Sequence, residues 1–230
     1  LLMYSKVEVR WDSGGSLVQD TYLTMSNDAP SSVYVQMYFV NGDGGYYEGE
    51  CYHQGWNFSD VLMELTANQP TYWSVNDPGS FTPFRVLDPG CDGMPGRPAN
   101  DGTGDRHIRG FVYAWAVVKE GGVTEITHNH LSGGGTLIHY TDGTAWEYNA
   151  WAVQRNSDED GDTVLNMDGA EYAQIFSQLL LNFQAVGSSA FSSEAVMVTT
   201  DTDVTLHPVS ANLDADDPAS SPITTKAHYD

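Results

Sequence analysis

Residues 107–153, HIRGFVYAWAVVKEGGVTEITHNHLSGGGTLIHYTDGTAWEYNAWAV, constrain the fold more than any other stretch of the chain. The opening segment, residues 109–118, sets Phe111, Tyr113, Trp115 and Val117 in alternation with Val112, Ala114, Ala116 and Val118. In a strand, alternate side chains point to opposite faces, so both faces of this one are apolar. Such a strand has to be covered on both sides and belongs at the centre of a domain. Glycine-marked breaks at 119–122, 132–135 and 141–143 then predict a returning strand at 123–130, a short strand at 136–140 and another at 145–154. The density of glycine and β-branched residues is unsuited to a helix of comparable length.

The rest of the chain reads the same way. Residues 6–11 alternate, with Val7, Val9 and Trp11 on one side, and residues 17–26 and 33–40 follow as strands. The turn sequence 41–45 predicts that residues 46–53 pair back on 33–40. Residues 57–66 admit two readings, a short helix capped near Ser59 and a strand alternating Val61, Met63 and Leu65; the strand is preferred. Residues 71–75 are a further strand, and residues 77–106, rich in Pro, Gly and Asp, form a long loop. Beyond residue 154 come an acidic loop at 156–162, a short helix at 168–176, and strands at 177–185, 195–200 and 203–209. The expected fold is all-β: an antiparallel two-sheet sandwich or jelly roll of about ten to thirteen strands, with at most one or two short helices. It occupies residues 1–210 as a single domain, and residues 211–230 are a polar acidic tail without a core pattern.

Charge narrows the partners. The formal net charge is −22 with nine basic residues, so nucleic acid and anionic membrane surfaces would be repelled. Cations, glycans and basic surfaces remain as partners. No apolar run is long enough to span a membrane. Charged residues are 17% of the chain beside abundant Gly, Ser, Thr, Asn and Tyr, a mixture expected of a secreted, cell-surface β protein. The opening Leu-Leu-Met-Tyr carries neither an initiator methionine nor a basic leader region, as expected after removal of a signal peptide or in a piece of a longer chain. In such a setting Cys51 and Cys91 are expected to form a disulfide that clamps the long loop, worth roughly 3–4 kcal/mol for a loop of about 40 residues. The sequon at Asn57 is too short a pattern to establish glycosylation.

Two constellations bear on metals. Asn156, Asp158, Asp160 and Asp162 alternate oxygen ligands around Gly161 and resemble the first half of a calcium loop, making Ca²⁺ the candidate cofactor. The EF-hand glutamate is absent, since the twelfth position is Met167; a solvated acidic turn is the competing reading. His128 and His130, two apart in a strand, share a face within reach of one ion. With Gly122 ahead of them they match the opening of the cupin metal motif, but LSGGG stands where its glutamate should follow, so His139 or His107 would have to supply the third ligand. No nucleophile elbow and no selected carboxylate pair is present, so no enzyme is expected. Tyr46, Tyr47, Trp56, Trp73 and Trp146 are candidates for a sugar platform against the reading that most aromatics fill the core.

The segments GFVYAWAV, HNHLSGGGTLIHY, GTAWEYNAWAVQ, DGAEY and SQLLLNF, with LTANQPTYW earlier and DVTLHPV later, resemble a group of exported bacterial β-rich surface proteins. The resemblance implies a secreted cell-surface protein and supplies no activity, ligand or catalytic residue. The functional expectation is therefore an extracellular structural or adhesive protein, a subunit of a surface layer, appendage or filament. The alternatives are a carbohydrate- or cell-surface-binding module and a cupin-like metalloenzyme. Self-assembly into an oligomer or filament would run through the N-terminal strand, with Leu2, Tyr4, Val7, Val9 and Trp11 filling a neighbour's pockets.

Overall fold

The structure, a computed structural model, describes residues 1–42, 45–47, 51–53, 58–76, 94, 96–99, 102–119, 124–157, 162–175 and 212–215. Among the described residues there are fourteen strands and no helix. In chain order they are β1 (Leu2–Trp11), β2 (Leu17–Asn27), β3 (Val33–Asn41), β4 (Gly45–Tyr47), β5 (Cys51–His53), β6 (Phe58–Leu65), β7 (Gln69–Ser74), β8 (Arg97–Pro98), β9 (Arg106–Val117), β10 (Leu131–His139), β11 (Thr144–Asn149), β12 (Trp151–Ala152), β13 (Val164–Asn166) and β14 (Asn212–Asp214). Every pairing is antiparallel. No described helix is long and apolar enough to cross a membrane.

One large sheet folds over on itself into a sandwich. Its first layer runs β6-β3-β9-β1, with β12 joining β1 at Leu2 and Met3 and β8 joining β9 at Arg106 and His107. Its second layer runs β7-β2-β10-β11. The corner is the β1–β2 hairpin, where Arg10 and Trp11 still pair with Gln19 and Leu17 before the two strands part. Asp12 shapes the corner: its Oδ1 accepts the backbone N–H groups of Gly14 and Ser16 at 2.9 and 2.8 Å. The Ser16 bond is the chief reason this exposed carboxyl stays below its usual range.

β9 is the central strand its sequence predicts. It lies between β1 and β3, and one of its faces packs Ile108, Val112, Ala114 and Ala116 into the core between the layers. Leu23, Met25 and Trp73 enter that core from the second layer, and Val9, Val35, Met37 and Phe39 from the first. The other face carries Phe111, Tyr113, Trp115 and Val117. With Tyr38 they build an aromatic stack, in which Tyr38 lies 5.1 Å from Trp115 and Tyr113 lies 5.4 Å from Trp115 between ring centres. This second face is covered by Leu165, Met167 and Tyr172 and by Leu213 and Ala215. β13 and β14 form a separate two-stranded ribbon that supplies part of this cover. Residues 212–215 thus do not behave as a tail without a core pattern, because Leu213 and Ala215 are buried.

The N-terminal strand holds its expected alternation by an unexpected route. Leu2 and Tyr4 share a face with Val7, Val9 and Trp11, although the step from 4 to 7 breaks the period of two. A register shift between Tyr4 and Val7 against β9 restores the phase, so all five side chains enter the interlayer core. β1 pairs with β9 along one side and with β2 and β12 on the other. The segment expected to fill a neighbour's pockets fills its own.

Several expectations need correction. Residues 132–135 are not a turn but lie within β10, which runs from Leu131 to His139. The glycines are there for lack of space. A Cβ on Gly133 would run into the Thr24 carbonyl and the Tyr4 hydroxyl, and one on Gly135 would come within 2.6 Å of the Tyr148 ring. Residues 124–130 are not a strand; Glu125 makes one isolated bridge to Val117 before the segment bends away. Residues 45–47 and 51–53 pair with each other and not with β3, whose edges are taken by β6 and β9. Residues 168–175 form no helix; Tyr172 bridges to Arg155. Residues 58–65 are a strand, as preferred. The expected strands at 177–185, 195–200 and 203–209 and most of the 77–106 loop lie outside the described residues. So does the disulfide, since Cys91 is outside them and Cys51 is described in its backbone alone.

The glycine positions make the interlayer distance testable. The Tyr4 hydroxyl crosses between layers to donate to the Thr24 carbonyl at 2.8 Å, directly where a Gly133 side chain would sit. Gly133→Ala should destabilise the protein by about 1–3 kcal/mol in urea unfolding, the usual range for overpacking. Ser132→Ala, on the exposed neighbouring position, should leave the midpoint unchanged; equal midpoints for both variants would refute the close-approach account.

Candidate functional site

The second layer has one face in the core and one in solvent. Alternation along β2 sends Thr21, Leu23, Met25 and Asn27 inward, where all four are buried, and directs Asp20, Tyr22, Thr24 and Ser26 to the outer face. Cross-strand register continues that face. Tyr22 lies opposite Ser74 on β7 and Thr136 on β10, while Thr24 lies opposite Tyr72 and Gly134. Glu147 on β11 lies opposite Thr136. Tyr72 is 76% exposed and Tyr140, just past the end of β10, is 43% exposed. The Tyr22 and Tyr140 hydroxyls are 3.2 Å apart. Tyr22 and Tyr72 are diagonal neighbours across two strands, a separation of about 7–8 Å. Tyr140, Tyr22 and Tyr72 therefore make a stripe across a strand-paired surface, flanked by Thr24, Thr136 and Glu147. Asp20, buried beneath it, accepts from Ser74 Oγ at 2.5 Å and from the Thr21 N–H at 2.8 Å, which ties β7 to β2 under the stripe.

These are not the aromatics singled out in the sequence. Trp73 is buried in the interlayer core, because its position in β7 has the opposite parity to Tyr72. Trp146 is 45% exposed but takes the Lys6 ammonium over its ring at 5.3 Å. Its neighbour Tyr148 hydrogen-bonds the Lys6 carbonyl. The side chains of Tyr46, Tyr47 and Trp56 lie outside the described residues. The outward parity of Tyr22 and Tyr72 is readable from alternation alone; which parity faces solvent depends on which layer covers which face.

The histidines occupy a different place. His128 and His130 rings stand 5.4 Å apart, in an edge-on arrangement. Each is engaged at the end of β2: His128 Nε2 lies 3.1 Å from Asn27 Oδ1, and His130 Nδ1 lies 3.0 Å from Asp28 Oδ1. Neither expected third ligand joins them. His139 pairs with Asp142 at 3.1 Å across its own turn, and His107 is buried on β9 between Arg10 and Arg97. Among the described residues no three His, Cys, Asp or Glu side chains gather as a metal site. Asp158 and Asp160 of the expected calcium loop lie outside the described residues. Of its flanks, Asn156 Nδ2 donates to the Gly169 carbonyl at 3.2 Å and Asp162 Oδ1 accepts the Val164 N–H at 2.7 Å.

Between the histidine segment and the cover of the second face lies a group that sequence reasoning missed, Glu125, Arg155 and Glu171. Arg155 Nη1 is 2.6 Å from Glu171 Oε1 and 3.4 Å from Glu125 Oε1, with all three side chains closed off from solvent. Asn129 fixes the arginine's backbone, accepting its N–H and donating to its carbonyl, both at 2.8 Å. The one sequence signal is scarcity: Arg155 is one of nine basic residues. Comparisons of the chain with protein-family models, with curated proteins and with solved structures each returned no match.

The surroundings of His128 give a measurable consequence. Burial first, and then the neighbouring His130, push its imidazole below the usual 6.5, while Asp28 opposes them. A histidine with a lowered folded value binds its proton more readily when unfolded, so its contribution to stability is present above the ordinary imidazole range and is lost as pH falls through it. NMR titration of the His128 Cε1–H should show a midpoint below that ordinary value; a midpoint at or above it would contradict the half-buried, Asn27-bonded arrangement.

Proposed function

We propose that this chain is an extracellular adhesive protein without catalytic activity, and that it holds an uncharged, extended glycan on the outer face of its second layer. The observation that carries this reading is the Tyr140–Tyr22–Tyr72 stripe, with Tyr72 76% exposed on β7, which is hydrogen-bonded to β2 along its length. Exposed aromatic rings on a rigid sheet offer broad contact area at small entropic cost, and tyrosine adds a hydroxyl that is satisfied at a wet interface. The apolar faces of sugar rings stack on such rings, while Thr24, Thr136 and Glu147 are placed to hydrogen-bond their hydroxyls. A stripe that crosses several strands suits a polymer lying along it, whereas small ligands are taken by concave sites.

Charge selects among glycans. The chain carries −22, and the face itself presents Glu147, so a polyanionic polysaccharide would be repelled. The export-like composition supports the extracellular part of this reading. Polymerisation through the N-terminal strand is the less favoured reading, since β1 is bonded on both sides within its own chain and its five core side chains are buried. A neighbour could receive them only if that strand first left its own sheet.

Affinity electrophoresis against a panel of soluble neutral polysaccharides, with an acidic one as control, tests the proposal. Retardation by at least one neutral glycan is expected. Tyr72→Ala should weaken it about tenfold or more, as loss of an aromatic anchor does, while Trp146→Ala should not. Failure to bind any neutral glycan, or equal retardation of Tyr72→Ala and the parent chain, would overturn it.

A further inference from the structure

Glu125, Arg155 and Glu171 come from three separate stretches and meet in a closed interior. Their side chains are 0%, 1% and 4% exposed. Two of the three guanidinium nitrogens are bonded: Nε donates to the Ser157 carbonyl at 2.8 Å and Nη1 to Glu171 Oε1, while Nη2 is buried without a hydrogen bond among the described residues, and the guanidinium lies 5.0 Å from the centre of the Tyr172 ring. The second oxygen of Glu171 accepts the Asn166 N–H of β13 at 2.9 Å. Glu125 differs, because neither of its carboxyl oxygens accepts a hydrogen bond from a nitrogen or hydroxyl donor. The other titratable groups that act on the cluster are few. Tyr172 lies within it, burial holding its hydroxyl neutral well beyond the physiological range. The Leu1 amino group acts on Arg155. His128, on the same segment as Glu125, is held toward its neutral form.

Two carboxylates facing one guanidinium leave a net negative charge in the interior, which a protein avoids by binding a proton. A single proton makes the group neutral and also gives Glu125 the hydrogen bond it lacks, to the Glu171 carboxylate. We propose that Glu125 holds a proton at neutral pH, shared with Glu171, and that this proton latches the 124–130 segment to the cover formed by residues 162–175 over the aromatic face of β9; alkaline pH removes it and loosens the cover. The electrostatic environment agrees: burial first, then the hydrogen bond and charge of Glu171, push the Glu125 carboxyl up to about 8 from 4.5, against the weaker pulls of its own backbone amide and of Arg155.

The cover is placed to feel the latch. Glu171 adjoins Tyr172, which packs with Leu165 and Met167 over Tyr113 and Trp115. Asn129 ties the 124–130 segment to Arg155 on the same side. The direction follows from linkage. A carboxyl with a raised folded value keeps its proton where the unfolded chain has lost it, so stability declines as pH rises from about 4.5 to about 8 and the decline then ceases. His128 acts in the opposite sense at the acid end of that window, so the comparison has to be made against a variant altered at Glu125 alone.

Glu125→Gln supplies a permanent donor to Glu171 without a titrating proton. Its melting temperature should exceed that of the parent chain at about pH 9, and the difference should shrink or reverse at about pH 5. Amide hydrogen exchange in residues 162–175 should accelerate with pH beyond its intrinsic dependence in the parent chain and not in the variant. An identical pH profile for the two chains would overturn the proposal. Should the variant not fold, carbon-13 NMR of the glutamate side-chain carboxyls in the parent chain decides the matter: one carboxyl titrating above neutrality supports the latch, and none doing so removes it.

Discussion

The two apolar faces of β9 are the constraint on which the rest depends. A strand in a simple two-layer sandwich buries one face and wets the other. β9 buries both, with Ala114 and Val112 toward one layer and Trp115 and Tyr113 toward the opposite side. One covering layer is obtained by folding the sheet over at the Asp12 corner, so that β2 and its partners return across the first layer. The other is assembled from pieces: the β13–β14 ribbon, Met167 and Tyr172. Regular sheet covers the aliphatic face, and irregular chain covers the aromatic one. Glu125, Arg155 and Glu171 are buried beside this irregular cover, where the ladder does not satisfy the backbone and where side chains such as Asn129 and Glu171 do so instead.

The same contrast separates what could be read in the sequence from what could not. Period-two alternation reports burial on one or two faces, and β2, β3 and β9 follow it closely. The glycine run at 133–135 carries the local signature of a turn. Its cause is tertiary, the close approach of Thr24, Tyr4 and Tyr148 to a strand that has no room for a Cβ. Residues 124–130 have strand-like composition, yet three anchors pull them off the ladder: Glu125 turns into the acid–arginine group, His128 reaches Asn27, and Asn129 grips Arg155. Each anchor belongs to a partner distant in the chain, so no window of neighbouring residues reveals it. The tyrosine stripe lies between these cases. The parity of Tyr22 and Tyr72 is local information, and the solvent it faces is not.

Three of the scarce positive charges close on buried carboxylates. Lys6 and Arg10 both close on the buried Glu8, at 3.6 and 2.6 Å, and Arg155 stands between two carboxyls. What this leaves at the surface is a large excess of carboxylates, which repel one another and favour any process that lowers negative charge. Dissolved salt answers the surface part of that repulsion within about 10 Å, while the closed Glu125–Arg155–Glu171 group lies beyond its reach. The two populations of acids therefore respond to different variables. Surface acids make the fold sensitive to ionic strength, and the buried pair makes one part of it, the cover on the aromatic face, sensitive to protons. The tyrosine face carries one surface acid, Glu147, and none of the buried pair, on a layer held by interlayer packing and by Asp20, so a glycan bound there would be indifferent to the state of the cover.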